Sequence, residues 1–367
     1  MRTQPESPAA THDAALFIGR FQPLHNGHLA LLRQALATAP QVIVVLGSSF
    51  QARTPKNPFT WEERAELIRL AVGEADAARI QFLPLRDFYD ETRWVAAVKA
   101  GVARLLATAE DRKSPSIALI GHFKDATSSY LRRFEPWQLI AAERAPGTPD
   151  AKQVRDAFFA SADSASDADR NAALGALTAV LPASTLAFLR SWTALPFFAA
   201  LAGEWTALKR YHEAWSKAPY PPVFVTVDAV VQCADHVLLI RRAHPPGVGL
   251  LAVPGGFIEQ RETAYQSTLR ELTEETHLHL LDTTMQQALK ASAVFDHPDR
   301  SQRGRTITHA HHFDLGDREL PEVCADDDAQ SVAWVPIADL ISMEDQFHDD
   351  HFHMLDHFLG LTDADQA

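Results

Sequence analysis

Two glycine-anchored motifs stand in opposite halves of this chain: Gly19-Arg-Phe-Gln-Pro-Leu-His25-Asn-Gly-His28 and Gly256-x5-Glu262-x7-Arg270-Glu271-Leu-Thr-Glu274-Glu275. Each runs from a tight turn into a segment with helical spacing, so each needs its own strand–turn–helix unit. That points to two domains, which a length of 367 residues accommodates.

The first motif follows the apolar run Ala14–Ile18, a short buried strand. Gly27–Ala39 carries Leu29, Leu32 and Leu36 at helical spacing and stops at Pro40, and the β-branched run Val42–Leu46 follows. Strand, helix, strand in this order predicts a parallel sheet. Trp61–Val72 and Arg93–Ala107 read as helices, and Ser116–Ile120 as a further strand ending at Gly121. The fold class expected is α/β: an N-terminal doubly wound parallel sheet that binds ligands at the carboxyl ends of its strands, followed by a C-terminal α/β/α domain. Ser161–Asn171, rich in Ser, Ala and Asp, is expected to be a loop or poorly ordered insertion, and Leu181–Trp215 to be helical. Ala218-Pro-Tyr-Pro-Pro222 is a stiff connector, after which Val223–Val231 and Val237–Ile240 read as strands. The boundary is placed near Pro219, giving domains 1–218 and 219–367.

The chemistry of the first motif lies at a helix entry. Two imidazoles three residues apart meet unsatisfied backbone N–H groups and a partial positive charge, an arrangement that favours phosphate oxygens. No Lys completes a Gly-x4-Gly-Lys loop. In the second motif Glu271, Glu274 and Glu275 fall at i, i+3 and i+4 on one helix face, with Tyr265, Leu269 and Leu272 as a separate apolar stripe. Clustered carboxylates suit Mg²⁺ or Mn²⁺. A net charge of −13 argues against a nucleic-acid binder. No apolar run reaches the roughly 18 residues of a membrane span. The first thirteen residues do not read as a signal peptide. Cys233 and Cys324 lack metal-like spacing. A cytoplasmic enzyme is expected, with a homo-oligomer left open.

The first motif resembles the nucleotidyltransferases with a His-x-Gly-His signature, and in particular the nicotinamide mononucleotide (NMN) adenylyltransferases. Asn57-Pro-Phe-Thr-Trp-Glu-Glu-Arg64, Arg93-Trp94 and Gly121-His-Phe-Lys-Asp125 agree with it. The resemblance implies that the phosphate of NMN attacks ATP, with Mg²⁺ bound to the ATP, and that pyrophosphate leaves. His25, His28 and Arg155 would hold the reacting phosphates, while Gly19, Arg20, Phe21, Trp94 and Asp125 would line the substrates, Trp94 stacking on the nicotinamide. Lys152 stands where the family has Ser or Thr three residues before Arg155, and Thr148 lies nearby.

The second motif resembles the Nudix hydrolases, which cleave nucleoside diphosphates linked to another group. The resemblance implies that Glu271, Glu274 and Glu275 are ligands to Mg²⁺ or Mn²⁺, that Arg270 and Glu262 form a supporting ion pair, and that Gly256 belongs to the substrate site. His277 replaces the glycine that closes the family's helix, at a cost on the order of 1 kcal/mol. The segment holding Arg303 and Arg305 resembles that of ADP-ribose pyrophosphatases and is expected to meet substrate. His309, His311 and His312, and the run His348, His351 and His353, are read as packed or surface histidines, not as a zinc site.

Together the halves resemble the bifunctional NMN adenylyltransferase/Nudix hydrolases. Expected small-molecule partners are NMN, ATP, NAD and ADP-ribose. Two alternatives are a transferase acting on nicotinate mononucleotide, and a Nudix half that senses ADP-ribose or NAD and regulates the first half.

Overall fold

A computed structural model describes residues 12–107, 115–121, 126–142, 150–326 and 328–362, and the chain forms two compact units, Met1–Ala202 and Gly203–Ala367.

In the first unit, β1 (Ala14–Gly19), β2 (Gln41–Leu46), β3 (Ile80–Pro84), β4 (Ile117–Gly121) and β5 (Gln138–Ala141) form an all-parallel sheet in the order β3-β2-β1-β4-β5. The connecting helices are α1 (Asn26–Thr38), α2 (Trp61–Val72), the short α3 (Glu74–Ala77) and α4 (Glu91–Leu106). Alternate strand residues serve opposite faces. Ala15, Phe17, Val42 and Val44 pack on Leu32 and Leu36 of α1 and Leu67 and Ile68 of α2. Leu16, Ile43 and Val45 pack on Val95, Val98 and Val102 of α4. Burial on both faces is why these strands read as unbroken apolar runs. Strand order reverses at β1, between β2 and β4, the kind of switch point at whose strand carboxyl ends doubly wound sheets bind ligands.

Three helices follow: α5 (Ala151–Ala160), α6 (Asp167–Gly175) and α7 (Ala183–Trp192). The expected loop at Ser161–Asn171 is therefore corrected. Ser166 caps α6 by accepting from the Asp169 N–H at 3.1 Å, and Leu174 buries its one apolar face.

Helix α8 (Pro196–Trp215) contains the division between the units, which lies upstream of the sequence boundary near Pro219. Residues from Gly203 onward group with the second unit through particular contacts. Glu204 accepts from the Gly247 and Val248 N–H groups at 2.8 and 3.1 Å, and Tyr211 and Trp215 pack on Phe224.

The second unit is built on a mixed sheet. Its strands are β6 (Val223–Cys233), β7 (His236–Arg242), β8 (Leu251–Ala252), β9 (Gly255–Phe257), β10 (Leu289–Phe295), β11 (Arg305–Asp314) and β12 (Ala329–Pro336). The order is β10-β11-β6-β7-β12, with β8 on β7 and β9 on β6, and among the described strand pairs the β6–β11 pair is parallel and the others antiparallel. Helices α9 (Ala264–Thr276) and α10 (Asp282–Ala288) cover one face, where Leu272 and Met285 meet Val231 and Phe313. Helix α11 (His351–Leu359) covers the other, where Phe352 and Leu355 meet Val230 and Leu239. The second unit is thus an α/β/α sandwich.

Candidate active sites

The first site is built on the loop between β1 and α1. Phe21 takes a left-handed backbone (φ 52°) and turns its ring back under Gly19, where a Cβ would lie 2.8 Å from that ring. Gly19 is thus required by close approach. The Phe21 ring is 1% exposed and packs edge-on against His28. The ring therefore supports the loop from within the core.

Three side chains from elsewhere hold this loop. Gln22 pairs with the Phe59 backbone, donating to its carbonyl at 2.8 Å and accepting from its N–H at 3.0 Å. Arg155, from the start of α5, donates to the Gln22 carbonyl at 2.6 Å. Arg64, 1% exposed, donates to the carbonyls of Arg20 (2.7 Å), Gly47 (2.8 Å) and Ser48 (3.3 Å), stitching together the ends of β1 and β2. Burial, with the nearby charge of Arg20, pushes the Arg64 and Arg155 guanidiniums down to about 10, and both stay charged at neutral pH. His25 is buried, and its Nδ1 accepts from the His28 N–H at 3.3 Å, capping α1. The two imidazole rings stack 3.6 Å apart. Two guanidiniums and two stacked imidazoles are thus held against the loop at the N-terminus of α1, the kind of helix end that favours phosphate oxygens.

Trp94 lies in the first turn of α4, half-buried and edge-on to Tyr130 (5.2 Å) and Phe134 (5.9 Å). Lys152 pairs with Asp156 at 2.7 Å with its side chain 73% exposed, so the residue replacing the family's hydroxyl is directed to solvent. Asp125 and Thr148 lie outside the described residues.

The second site centres on α9, whose N-terminus is a capping box between Thr263 and Gln266. Arg270 binds Glu262 (3.0 Å), Glu271 (2.9 Å), Glu274 (2.8 Å) and the Phe257 carbonyl (3.1 Å). Burial opposes its charge, but these carboxylates outweigh that and raise its pKa. Glu271 lies so close to Gly256 that a Cβ there would be 2.5 Å from its carboxylate. Glu275 is 3% exposed and accepts from the Gly255 N–H at 2.9 Å. Burial, reinforced by the charge of Glu271, pushes its pKa up to about 8 despite that hydrogen bond.

Among the described residues no three potential ligands converge as a metal site. Arg270 holds Glu271 and Glu274, and Glu275 is turned to Gly255. The donors nevertheless fit a hard divalent cation. All are carboxylate oxygens on one helix face, and the repulsion raising Glu275 is the interaction that a cation relieves. At the end of α9, His277 adopts φ 51°, ψ 25°, and its Nε2 meets Asp326 at 2.9 Å. Arg305 is turned to the Asp296 carbonyl, whereas Arg303 lies over the Phe257 ring at 5.8 Å. Two of the histidines in the later runs are held by hydrogen bonds. His311 bonds Thr268 at 2.9 Å, and His351 Nδ1 accepts from the Val253 N–H at 3.2 Å, just before the Gly255-Gly256 turn.

Sequence reading gave no role to Arg64 or Gln22. For Arg64 a signal existed, since it closes the motif beginning at Asn57. The role of Gln22 depends on its contact with the distant Phe59 backbone.

These two sites define the class: a nucleotidyltransferase unit joined to a Nudix hydrolase unit. Residues 16–168 match the cytidylyltransferase-like family model, and residues 222–358 match the NUDIX domain model. The nicotinamide/nicotinic acid mononucleotide adenylyltransferase of Acinetobacter baylyi is 39% identical over 147 residues, covering 40% of this chain and 76% of that protein. The nicotinamide-nucleotide adenylyltransferase of Thermococcus kodakarensis is 40% identical over 91 residues, 24% of this chain and 48% of that protein. A bifunctional NMN adenylyltransferase/ADP ribose pyrophosphatase from Francisella tularensis matches over 95% of this chain and 99% of its own, with a TM-score of 0.84 and 33% identity. A structure of such an enzyme from the same organism, complexed with AMP and a Mn ion, matches with a TM-score of 0.83 and 32% identity. The chain belongs to the family of bifunctional NMN adenylyltransferase/ADP-ribose pyrophosphatases. Enzymes of its two classes depend on divalent metal.

Proposed function

We propose that the first unit joins NMN to the adenylyl group of ATP, giving NAD and pyrophosphate. The 5′-phosphate oxygen of NMN forms a bond to the α-phosphorus of ATP as the bond to the β-phosphate oxygen breaks. No protein nucleophile takes part, and the protein positions charge. His25, His28 and Arg155 hold phosphate oxygens, Arg20 extends the cationic rim, and Gln22 and Arg64 keep the loop in place. Trp94 supplies a ring face for the nicotinamide. The observation that carries this reading is Arg155 reaching the Gln22 carbonyl, which brings a distant arginine onto the His25–His28 loop. Nicotinate mononucleotide differs by a carboxylate in place of the amide and is the competing acceptor.

The second unit hydrolyses ADP-ribose to AMP and ribose 5-phosphate. A bound Mg²⁺ or Mn²⁺ would polarise the diphosphate and lower the pKa of water. Glu271, Glu274 and Glu275 would hold it, and Arg270 with Glu262 sets the orientation of that helix face.

Incubation with NMN, ATP and Mg²⁺, in parallel with nicotinate mononucleotide, and separately with ADP-ribose, followed by product masses, tests both halves. Failure to form NAD, or to release AMP, refutes the corresponding half.

A further inference from the structure

The arginines around the second site are unequally committed. Arg270 is spent on Glu262, Glu271 and Glu274. Arg300 forms a buried two-pronged pair with Asp350, at 2.8 Å for each bond. Arg241 donates to the Gly249 carbonyl and to Gln346, and Arg305 to the Asp296 carbonyl. Arg242 and Arg303 differ. Arg242, at the end of β7, uses only Nε, which donates to the Pro246 carbonyl at 3.0 Å. Among the described residues its two terminal nitrogens have no hydrogen-bond partner. Arg303 spends its guanidinium on no hydrogen bond or ion pair among the described residues, and lies over the Phe257 ring.

Contacts bring the two arginines to one region: Arg242 is tied to Pro246, beside the Gly247 that abuts His348, while Gln302, next to Arg303, donates to Asp349 at 3.5 Å. Arg242 is deep enough that burial lowers its pKa first, and the charge of Arg303 lowers it further. The charge of Arg242 in turn acts on Glu275. Phe257 directly follows Gly256, which abuts Glu271, and its carbonyl is held by Arg270. His348 sits among Arg242, Arg300 and Arg303, and burial with those three charges keeps it neutral. Two like-charged guanidiniums with spare donors, held close together at partial burial, are unfavourable until an anion joins them.

We propose that Arg242 and Arg303 form an anion clamp that takes diphosphate oxygens of the second unit's substrate, facing the carboxylates of Glu271 and Glu275. The clamp rests on the reading of this unit as a diphosphate hydrolase and names the residues that bind the diphosphate. It gives the substrate two opposed walls. Carboxylates hold a divalent cation on one side, and guanidinium forks take phosphate oxygens on the other. Arg242 is pinned at Nε by a backbone carbonyl and Arg303 is restrained by Phe257, so little freedom is lost on binding.

The test uses the full-length protein with Mn²⁺. Arg242→Gln and Arg303→Gln are each expected to raise the KM for ADP-ribose by about tenfold or more, with a smaller change in kcat. Mn²⁺ affinity without nucleotide and NAD synthesis should both stay within about twofold of wild type. Arg242→Lys should recover only part of the loss, since it restores charge but not the fork. Arg303 makes no side-chain hydrogen bond or ion pair among the described residues, so its variant reports even if Arg242→Gln fails to fold. A KM within twofold of wild type for folded Arg303→Gln overturns the clamp, as does a loss traced to Mn²⁺ affinity. If wild type is inert toward ADP-ribose, calorimetric binding of ADP in Mn²⁺ decides. Weaker binding by the variants sustains the clamp with a different substrate, and equal binding overturns it.

Discussion

His25 Nδ1 accepts the backbone N–H of His28, and the two rings stack 3.6 Å apart. Nδ1 of His25 is therefore an acceptor, its ring proton lies on Nε2, and the imidazole has a structural duty besides any contact with phosphate. The two histidines should respond differently to mutation. His28→Ala is expected to abolish NAD synthesis with little change in unfolding temperature. His25→Ala should also lose about 1 kcal/mol of stability with the cap. His25→Asn should regain the stability, since Asn caps well, but not the activity. Parallel melting curves and NAD assays check this. Equal stability of the two alanine variants would remove the capping role.

Trp94→Ala should raise the KM for NMN by about tenfold and leave that for ATP within about twofold. Because the indole also packs against Tyr130 and Phe134, a stability loss of about 2 kcal/mol should accompany it. Trp94→Phe should recover most of both. Lost stability with unchanged NMN affinity would make Trp94 a packing residue only.

Glu275 links hydrolysis to pH. Its folded pKa, about 8, lies above the ordinary carboxylate value of 4.5. Its raised pKa favours the fold below about pH 4.5, and that contribution is lost as pH rises toward 8. Metal-free protein should therefore weaken across that window by roughly 1 kcal/mol per pH unit at most. Glu275→Gln should flatten that slope, abolish ADP-ribose hydrolysis and spare NAD synthesis. Denaturant titrations at several pH values, with and without Mn²⁺, read this out. An unchanged slope in the variant would clear Glu275 of it.

His277 holds a left-handed conformation that a glycine adopts without strain. His277→Gly should stabilise the second unit by about 1 kcal/mol, less whatever the exposed contact with Asp326 contributes. Hydrolysis should be unchanged. A lower midpoint in chemical denaturation would mean that the Asp326 contact outweighs the backbone strain.

Periodicity and glycine placement were enough to place β1, α1, β2 and α9. Their signals are local: continuous apolar runs for strands buried on both faces, helical spacing for α1 and α9, and a glycine wherever two segments touch. The i, i+3, i+4 spacing likewise puts Glu271, Glu274 and Glu275 on one face of α9. Composition misled at Ser161–Asn171, where Ser166 turns a polar stretch into a capped helix.

Tertiary structure alone decided which side chain does what. Phe21 belongs to the core because its backbone turns left-handed under Gly19. Arg64 bridges the ends of two strands, Arg155 reaches Gln22 across 133 positions, and Arg305 is spent while Arg303 is not. A sequence determines which residues can carry charge or donate a hydrogen bond. Whether that capacity is satisfied by the protein or left for a ligand depends on which distant segment folds beside it.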